Sequence, residues 1–388
     1  MEDMKELVLL GASGSIGTQT VDIVLQHPDL FHVRALSVGH NIKELRKILA
    51  CLDTELICVQ EEKDAHLLQK EYPQRRFVYG DTGLLTLAGL KDYDVLVNAL
   101  VGFAGFAPTM KAIETGHEIA LANKETLVVG GELITDAVKK HGVKLVPIDS
   151  EHSAIYQCLQ GNRRSDVKRL WITCSGGAFR TLTREQMKDV TVDDALSHPN
   201  WHMGPKITVD CANLMNKGFE VMEAHYLFGM DYDDIRVVMH PQSVVHSMVE
   251  YVDHSFIAQL GAPDMRLPIQ YALTGPERYY YKEENPMDLW QGMDLHFEAP
   301  DTEKYPLLAL AYETGRKGGI LPAVMNGANE EANLAFRQKK IPFLKIEEIV
   351  MGAVRACVWQ PVNTEADLIR GDRFGRDYAQ RMIKETLN

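Results

Sequence analysis

The sequence is short of basic residues, of paired cysteines and of long apolar runs, and each shortage removes a class of function. Lys and Arg number 41 against 54 Asp and Glu, a formal net charge of -13. So acidic a chain has no overall field to draw nucleic acid or an anionic membrane surface. A small anionic metabolite stays open, because one site can be locally basic. No apolar stretch approaches the roughly 20 residues that cross a bilayer. The opening "MEDMKELVLLGASG" is acidic and runs at once into a strand. It has no basic n-region, long apolar h-region or Arg/Ser-rich transit pattern, so a cytoplasmic protein is expected. The cysteines (Cys51, Cys58, Cys158, Cys174, Cys211 and Cys357) are scattered, with no CxxC pair. Reduced buried thiols are the reading, rather than disulfides or a metal cluster.

What is present is length and alternation. A chain of 388 residues is too long for one ordinary core and predicts two or three domains. Over residues 1–149 the apolar runs "ELVLL", "HVRALSV", "ELICV", "RFVY", "YDVLVNAL", "HEIALA" and "VKLVPI" alternate with amphipathic pieces. That is the pattern of βαβ units and a Rossmann-like parallel sheet, an α/β fold. Over 150–280 the texture becomes α+β. "VKRLWITCS", "IRVVMH", "SVVHSMVEYVD" and "SFIAQLGA" read as strands with antiparallel pairing. Residues 281–305 lack periodicity and read as a linker, and 306–388 are largely amphipathic helix, a C-terminal bundle.

Polar clusters fall where such strands end. "LVLLGASGSIG" sets Gly11, Gly14 and Gly17 between a strand and a helix, either a dinucleotide turn or a plain tight βα turn. The second strand ends at Gly39, His40 and Asn41 without the acid usual for NAD. This favours NADP unless His40 is only a solvated loop residue. After "EIALA" comes Asn123-Lys124-Glu125, and after "KLVPI" comes Asp149-Ser150-Glu151. In an extended chain Asp149 and Glu151 would point to one side. Two close carboxylates fit a hard cation. Equally, they could be a helix cap and a first-turn acid. In "NLMNKGFEVMEA", Asn216, Lys217 and Glu220 share a helix face, and Gly218 suggests that a ligand or a backbone crowds there. "CSGGAFR" offers Ser175 and open amides for an anion. "SHPNWHMGPK" reads as a mobile lid or as a surface loop packed by Trp201. His240 and His246 read as satisfied interior groups.

Together, "GASGSIG", "LANKE", "PIDSEHSAI", "SGGAFR", "HPNW", "MGPKITVDCANLMNKGFE" and "HPQSVVHSM" resemble, in order and over nearly the whole chain, the 1-deoxy-D-xylulose 5-phosphate reductoisomerase family. The resemblance implies an NADPH domain (1–149), a catalytic and dimerisation domain (150–280) and a C-terminal helical domain (306–388), assembled as a homodimer. It implies one divalent cation, Mg²⁺ or Mn²⁺ with Co²⁺ a further option, on Asp149, Glu151 and Glu220. Ser175, Asn216, Lys217 and Cys211 would meet the substrate phosphate, with His198 nearby. Lys124, Ser150, Glu151 and Glu220 would meet its reacting end, Lys124 joining the carboxylates as a catalytic group. NADPH would lie on Ser13, Gly14, Ser15, Ile16, Gly39, His40, Asn41, Asn123, Glu125 and Gly204. The implied reaction is a metal-assisted rearrangement of the sugar phosphate followed by reduction to 2-C-methyl-D-erythritol 4-phosphate.

Two residues depart from the family pattern. Cys211 replaces a serine hydroxyl with a weaker donor. His40 stands where Lys or Arg is common and weakens the charge argument for NADPH over NADH. Two rivals share the motifs: a metal-assisted NADP dehydrogenase without rearrangement, and an NADP-binding sensor without turnover.

Overall fold

The computed structural model describes residues 4–197, 201, 203–282 and 286–387. The fold has two compact units, and neither is a continuous stretch of chain.

In the first unit (Met1–Thr126, Ile134–Ser153 and Asp264–Glu284), all seven apolar runs form strands. They are β1 (Lys5–Leu10), β2 (Phe31–Val38), β3 (Leu56–Val59), β4 (Arg76–Tyr79), β5 (Val95–Asn98), β6 (Glu118–Leu121) and β7 (Leu145–Pro147). The sheet is wholly parallel, in the order β4-β3-β2-β1-β5-β6-β7. Helices cover both faces, so Leu7, Val8, Leu9 and Leu10 are all buried without alternation. The strand order reverses beside β1. That switch point, at the carboxyl ends of β1 and β5, is where open α/β sheets bind ligands.

The same unit recovers a late segment of chain. The helix Arg266–Thr274 places Ile269 and Leu273 in the core with Leu7 and Val33. Lys5 Nζ donates to the Leu273 carbonyl at 2.7 Å, and Arg266 meets Asp22 at 3.0 Å.

The second unit (Leu127–Leu133, Ala154–Pro263 and Asn285–Asn388) holds a four-stranded sheet. Its strands are β8 (Val167–Cys174), β9 (Ile235–Met239), β10 (Val245–Tyr251) and β11 (Phe256–Leu260), in the order β11-β10-β8-β9. β10 runs antiparallel to β8 and β11, as expected for this region, whereas β8 and β9 are parallel. The helices Pro205–Ala212, Met215–Phe228, Pro306–Lys317, Leu321–Arg337, Lys345–Ala356 and Glu365–Leu387 complete the unit.

The boundaries differ from those expected from composition. The C-terminal helices share one apolar cluster with the sheet (Leu170, Phe219, Leu307, Ala328 and Ile349 belong to it together), so they make no separate core. Residues 264–280, expected with the α+β region, pack on the parallel sheet instead because their apolar face is needed there. Periodicity shows which face of a helix is apolar, not which sheet it covers. Within 281–305, Met239 and Glu298 exchange two backbone hydrogen bonds, pinning the end of that segment to β9.

Candidate active site

The glycine turn is built for close approach. Gly11 has φ +85°, and a Cβ there would lie 2.5 Å from the Ala99 carbonyl oxygen. A Cβ on Gly17 would lie 2.2 Å from the Gly11 oxygen. Strand β1 and the helix Ser15–Gln26 can therefore touch only through bare backbone. No side chain caps this helix; its N-cap is Gly14, which with Ser15 is exposed, while Ser13 and Ile16 are half-buried. First-turn amides presented in this way suit a phosphate group.

At the end of β2, Gly39, His40 and Asn41 are exposed. Asn41 Oδ1 accepts from Glu44 N at 3.2 Å and so caps the next helix. His40 Nδ1 lies 3.9 Å from Glu61 Oε1, its side chain 72% exposed. Asn123 and Glu125 differ from the exposed residues after β2 in being buried. Asn123 donates through its amide to the carbonyls of Leu100 and Gly102 at 3.0 Å each and to Glu125 Oε2 at 3.1 Å. Its side chain ties the β5 and β6 loops together. Asn98, which the motifs did not single out, braces the segment after β5 on itself, donating to Gly105 O and Thr109 Oγ1. The one available signal was a polar residue closing the apolar run "DVLVN".

The carboxylates after β7 answer to the cation after β6. Lys124 opens the helix Lys124–His141, and its Nζ lies 2.6 Å from Asp149 Oδ2, both side chains largely buried. Adjacent strand ends bring them together, and the ammonium supplies the opposite charge that a buried carboxylate requires. Of the two geometries open for Asp149-Ser150-Glu151, an extended pair or a helix start, the structure has the helix start. A helix starts at Ser150, and Asp149 O accepts from Ser153 N at 2.8 Å. Glu151 is thus a first-turn acid, bonded at 2.5 Å by the Ser150 hydroxyl. His152, fully buried, sets Nδ1 3.8 Å from Asp149 Oδ2.

The second unit carries the other residues singled out in the sequence. Ser175 follows β8, and Gly176 and Gly177 both take positive φ. The Ser175 hydroxyl accepts from Gly177 N at 3.2 Å. A Cβ on Gly177 would lie 2.5 Å from the Cys211 carbonyl oxygen, so this loop rests on the end of the helix Pro205–Ala212. Asn216, Lys217 and Glu220 share one buried helix face. Glu220, 1% exposed, accepts from the Asn216 amide at 2.5 Å and from the Lys217 ammonium. What crowds Gly218 is a helix rather than a ligand, since its Cβ would lie 2.5 Å from Ala311 Cβ. Gly204, exposed, is the N-cap of Pro205–Ala212.

Residues 198–200 and 202 of the expected lid, His198 among them, lie outside the described residues, while the Trp201 ring sits 5.9 Å from that of His246. His240 is an interior group as expected. One ring nitrogen meets the His296 carbonyl at 2.9 Å and the other accepts from Val245 N at 3.2 Å. Burial lowers its pKa.

Models of the 1-deoxy-D-xylulose 5-phosphate reductoisomerase family match residues 7–131, of its C-terminal domain 145–228, and of the DXP reductoisomerase C-terminal domain 260–378. The chain is 52% identical to the 1-deoxy-D-xylulose 5-phosphate reductoisomerase of Geobacillus kaustophilus, over 98% of this chain and 100% of that one. The fold matches that enzyme from Zymomonas mobilis in complex with NADPH (TM-score 0.91, 38% identity, 98% and 99% of the two chains). It also matches a DOX-P reductoisomerase in complex with NADPH, fosmidomycin and magnesium (TM-score 0.92, 38% identity, 98% of each chain). With family models matching most of the sequence and a relative 52% identical over 98% of it, the chain belongs to the 1-deoxy-D-xylulose 5-phosphate reductoisomerase family.

Proposed function

We propose that the chain converts 1-deoxy-D-xylulose 5-phosphate to 2-C-methyl-D-erythritol 4-phosphate, a step toward isoprenoid precursors, using NADPH and a divalent cation. The observation that carries the reading is the pair of buried, lysine-matched carboxylates, Asp149 with Lys124 and Glu220 with Lys217. Each half is built inside its own unit, and burying such charges is costly unless they have work to do.

Asp149, Glu151 and Glu220 form an all-oxygen donor set, which fits Mg²⁺ or Mn²⁺ and tolerates Co²⁺. When bound, the cation supplies Lewis-acid polarisation of the substrate's oxygens, and NADPH supplies the hydride. The chain's own groups orient and protect. Ser13, Gly14, Ser15 and Ile16 receive the nucleotide on an uncapped helix start, with Gly39, His40, Asn41 and Gly204 along it. Asn123 and Glu125 shape the loops beside it. Lys124 holds a proton beside Asp149, within reach of the reacting oxygens, and Ser150 orients Glu151. Ser175, Cys211, Asn216, Lys217 and His198 hold the phosphate far from the reacting carbons, converting binding energy into orientation.

The assembly is a homodimer in the cytoplasm. Edge strand β11 exposes Phe256 and Ile257, a surface that a second copy would cover. All six cysteines are free thiols, as a reducing compartment maintains. Among the described residues, no helix is long and apolar enough to cross a membrane.

The test is NADPH oxidation by the purified chain with that sugar phosphate and Mg²⁺ or Mn²⁺, with and without a chelator, and identification of the product. A branched product and chelator sensitivity are expected. An unbranched product would leave only the simple dehydrogenase, and cofactor binding without turnover would leave only the sensor.

A further inference from the structure

The helix Pro205–Ala212 carries a carboxylate that the reaction does not use. Asp210 precedes Cys211 and is 1% exposed. Its Oδ1 accepts from Asn329 Nδ2 at 3.0 Å and from Asn333 Nδ2 at 2.8 Å. Its Oδ2 lies 3.0 Å from Lys206 Nζ. The Asn333 amide also donates to the Lys206 carbonyl at 2.9 Å, and Arg337 Nε donates to Asn333 Oδ1 at 2.7 Å. The Lys206 ammonium lies 5.2 Å from the centre of the Phe219 ring, one residue before Glu220. Five polar side chains thus join the helix Pro205–Ala212 to Leu321–Arg337, deep in the second unit.

Apolar residues would hold these helices together at less cost. A buried carboxylate is expensive, and asparagine is a poor helix former. What directional bonds add is a fixed register, since a carboxylate can satisfy two amides and an ammonium in only one rotation and one slide of the helix. The register matters because the Cys211 carbonyl forms the floor under Gly177, and through it the seat of Ser175.

We infer that Asp210, with Asn329 and Asn333, is a positioning residue through which the C-terminal helices set the phosphate seat. This rests on the reading that Ser175, Cys211, Asn216 and Lys217 hold the substrate phosphate. Asp210 itself touches no substrate.

The test uses the full chain and steady-state kinetics with 1-deoxy-D-xylulose 5-phosphate. Asp210→Asn raises the substrate KM about tenfold, the order expected for losing a charged hydrogen-bond acceptor. The KM for NADPH, whose proposed contacts lie in the other unit apart from the Gly204 backbone, changes by no more than about twofold. The double variant Asp210→Asn, Asn329→Asp returns a carboxylate to the network from the opposite helix and restores most of the substrate KM. Equal loss for both substrates, no loss, or no recovery in the double variant would overturn the inference. If Asp210→Asn does not fold, Asn333→Ala, which removes one of the two amides, decides by the same comparison. Lys217→Met serves as the control. If it leaves the substrate KM unchanged, the seat itself is misplaced; if it raises KM and the Asp210 variants do not, only the coupling fails.

Discussion

The two units present the groups proposed for cofactor and substrate by opposite means. In the first, the turn proposed for the nucleotide is backbone: glycines packed without Cβ, and an uncapped helix start open to water. In the second, the groups proposed for the substrate are side chains: Asn216 and Lys217 are buried and each already bonded to buried Glu220. Backbone amides accept any phosphate of suitable shape, whereas preset side chains fix one geometry. The comparison therefore separates tolerance for the cofactor from discrimination of the substrate.

The sharpest way to break it is Glu220→Gln. The amide keeps the shape and loses the charge. The expected loss in kcat is on the order of 10²–10³, the scale for removing one preorganised electrostatic group. NADPH binding, followed by its fluorescence, should be unchanged; a parallel loss would mean that the halves are not independent. His40→Asp probes the other half. A carboxylate facing the extra phosphate of NADPH should lower the NADPH-to-NADH ratio of kcat/KM about tenfold, since like charges there repel. An unchanged ratio would remove position 40 from the nucleotide seat.

The units also differ in their histidines. In the second, burial holds His240 below its ordinary pKa of 6.5. Its contribution to stability is present above pH 6.5 and is lost as pH falls through the lowered folded value. In the first, burial also works against the charged His32, but the hydrogen bonds to Glu6 and the Asp53 carbonyl outweigh it and raise the pKa. Its contribution is present below pH 6.5 and is lost as pH rises through the raised value. Thermal melting across this range should show His240→Gln flattening the acid-side fall, while His32→Gln lowers stability on the acid side alone. The smallest effect is expected from Cys211→Ser. A hydroxyl is the better donor, so substrate KM should hold or fall by about twofold. A large rise would show that the thiol packs rather than faces phosphate.

Much of this was legible in the sequence because it is local. Seven apolar runs gave seven strands, and the glycine spacing placed the turn, since period and backbone freedom act over a few residues. The carboxylates after β7 stand out in the sequence, which leaves open whether they extend a strand or open a helix. Whether Ser150 continues a strand or starts a helix depends on the cap and on the packing of His152. Nothing in the sequence around Asp210 marks it. Its partners Asn329 and Asn333 lie more than a hundred residues away, and no periodicity links them. The expected domain boundaries missed for a similar reason, because the choice of sheet for the helix Arg266–Thr274 is tertiary.

That helix has a consequence for synthesis. The nucleotide sheet begins at residue 5, yet Ile269 and Leu273 belong to its core. A nascent chain that has finished all seven strands still shows water a bare apolar flank. It must wait for more than a hundred further residues to leave the ribosome before the flank is closed. Fragments ending near residue 153 should therefore expose that surface and aggregate, however complete their sheet.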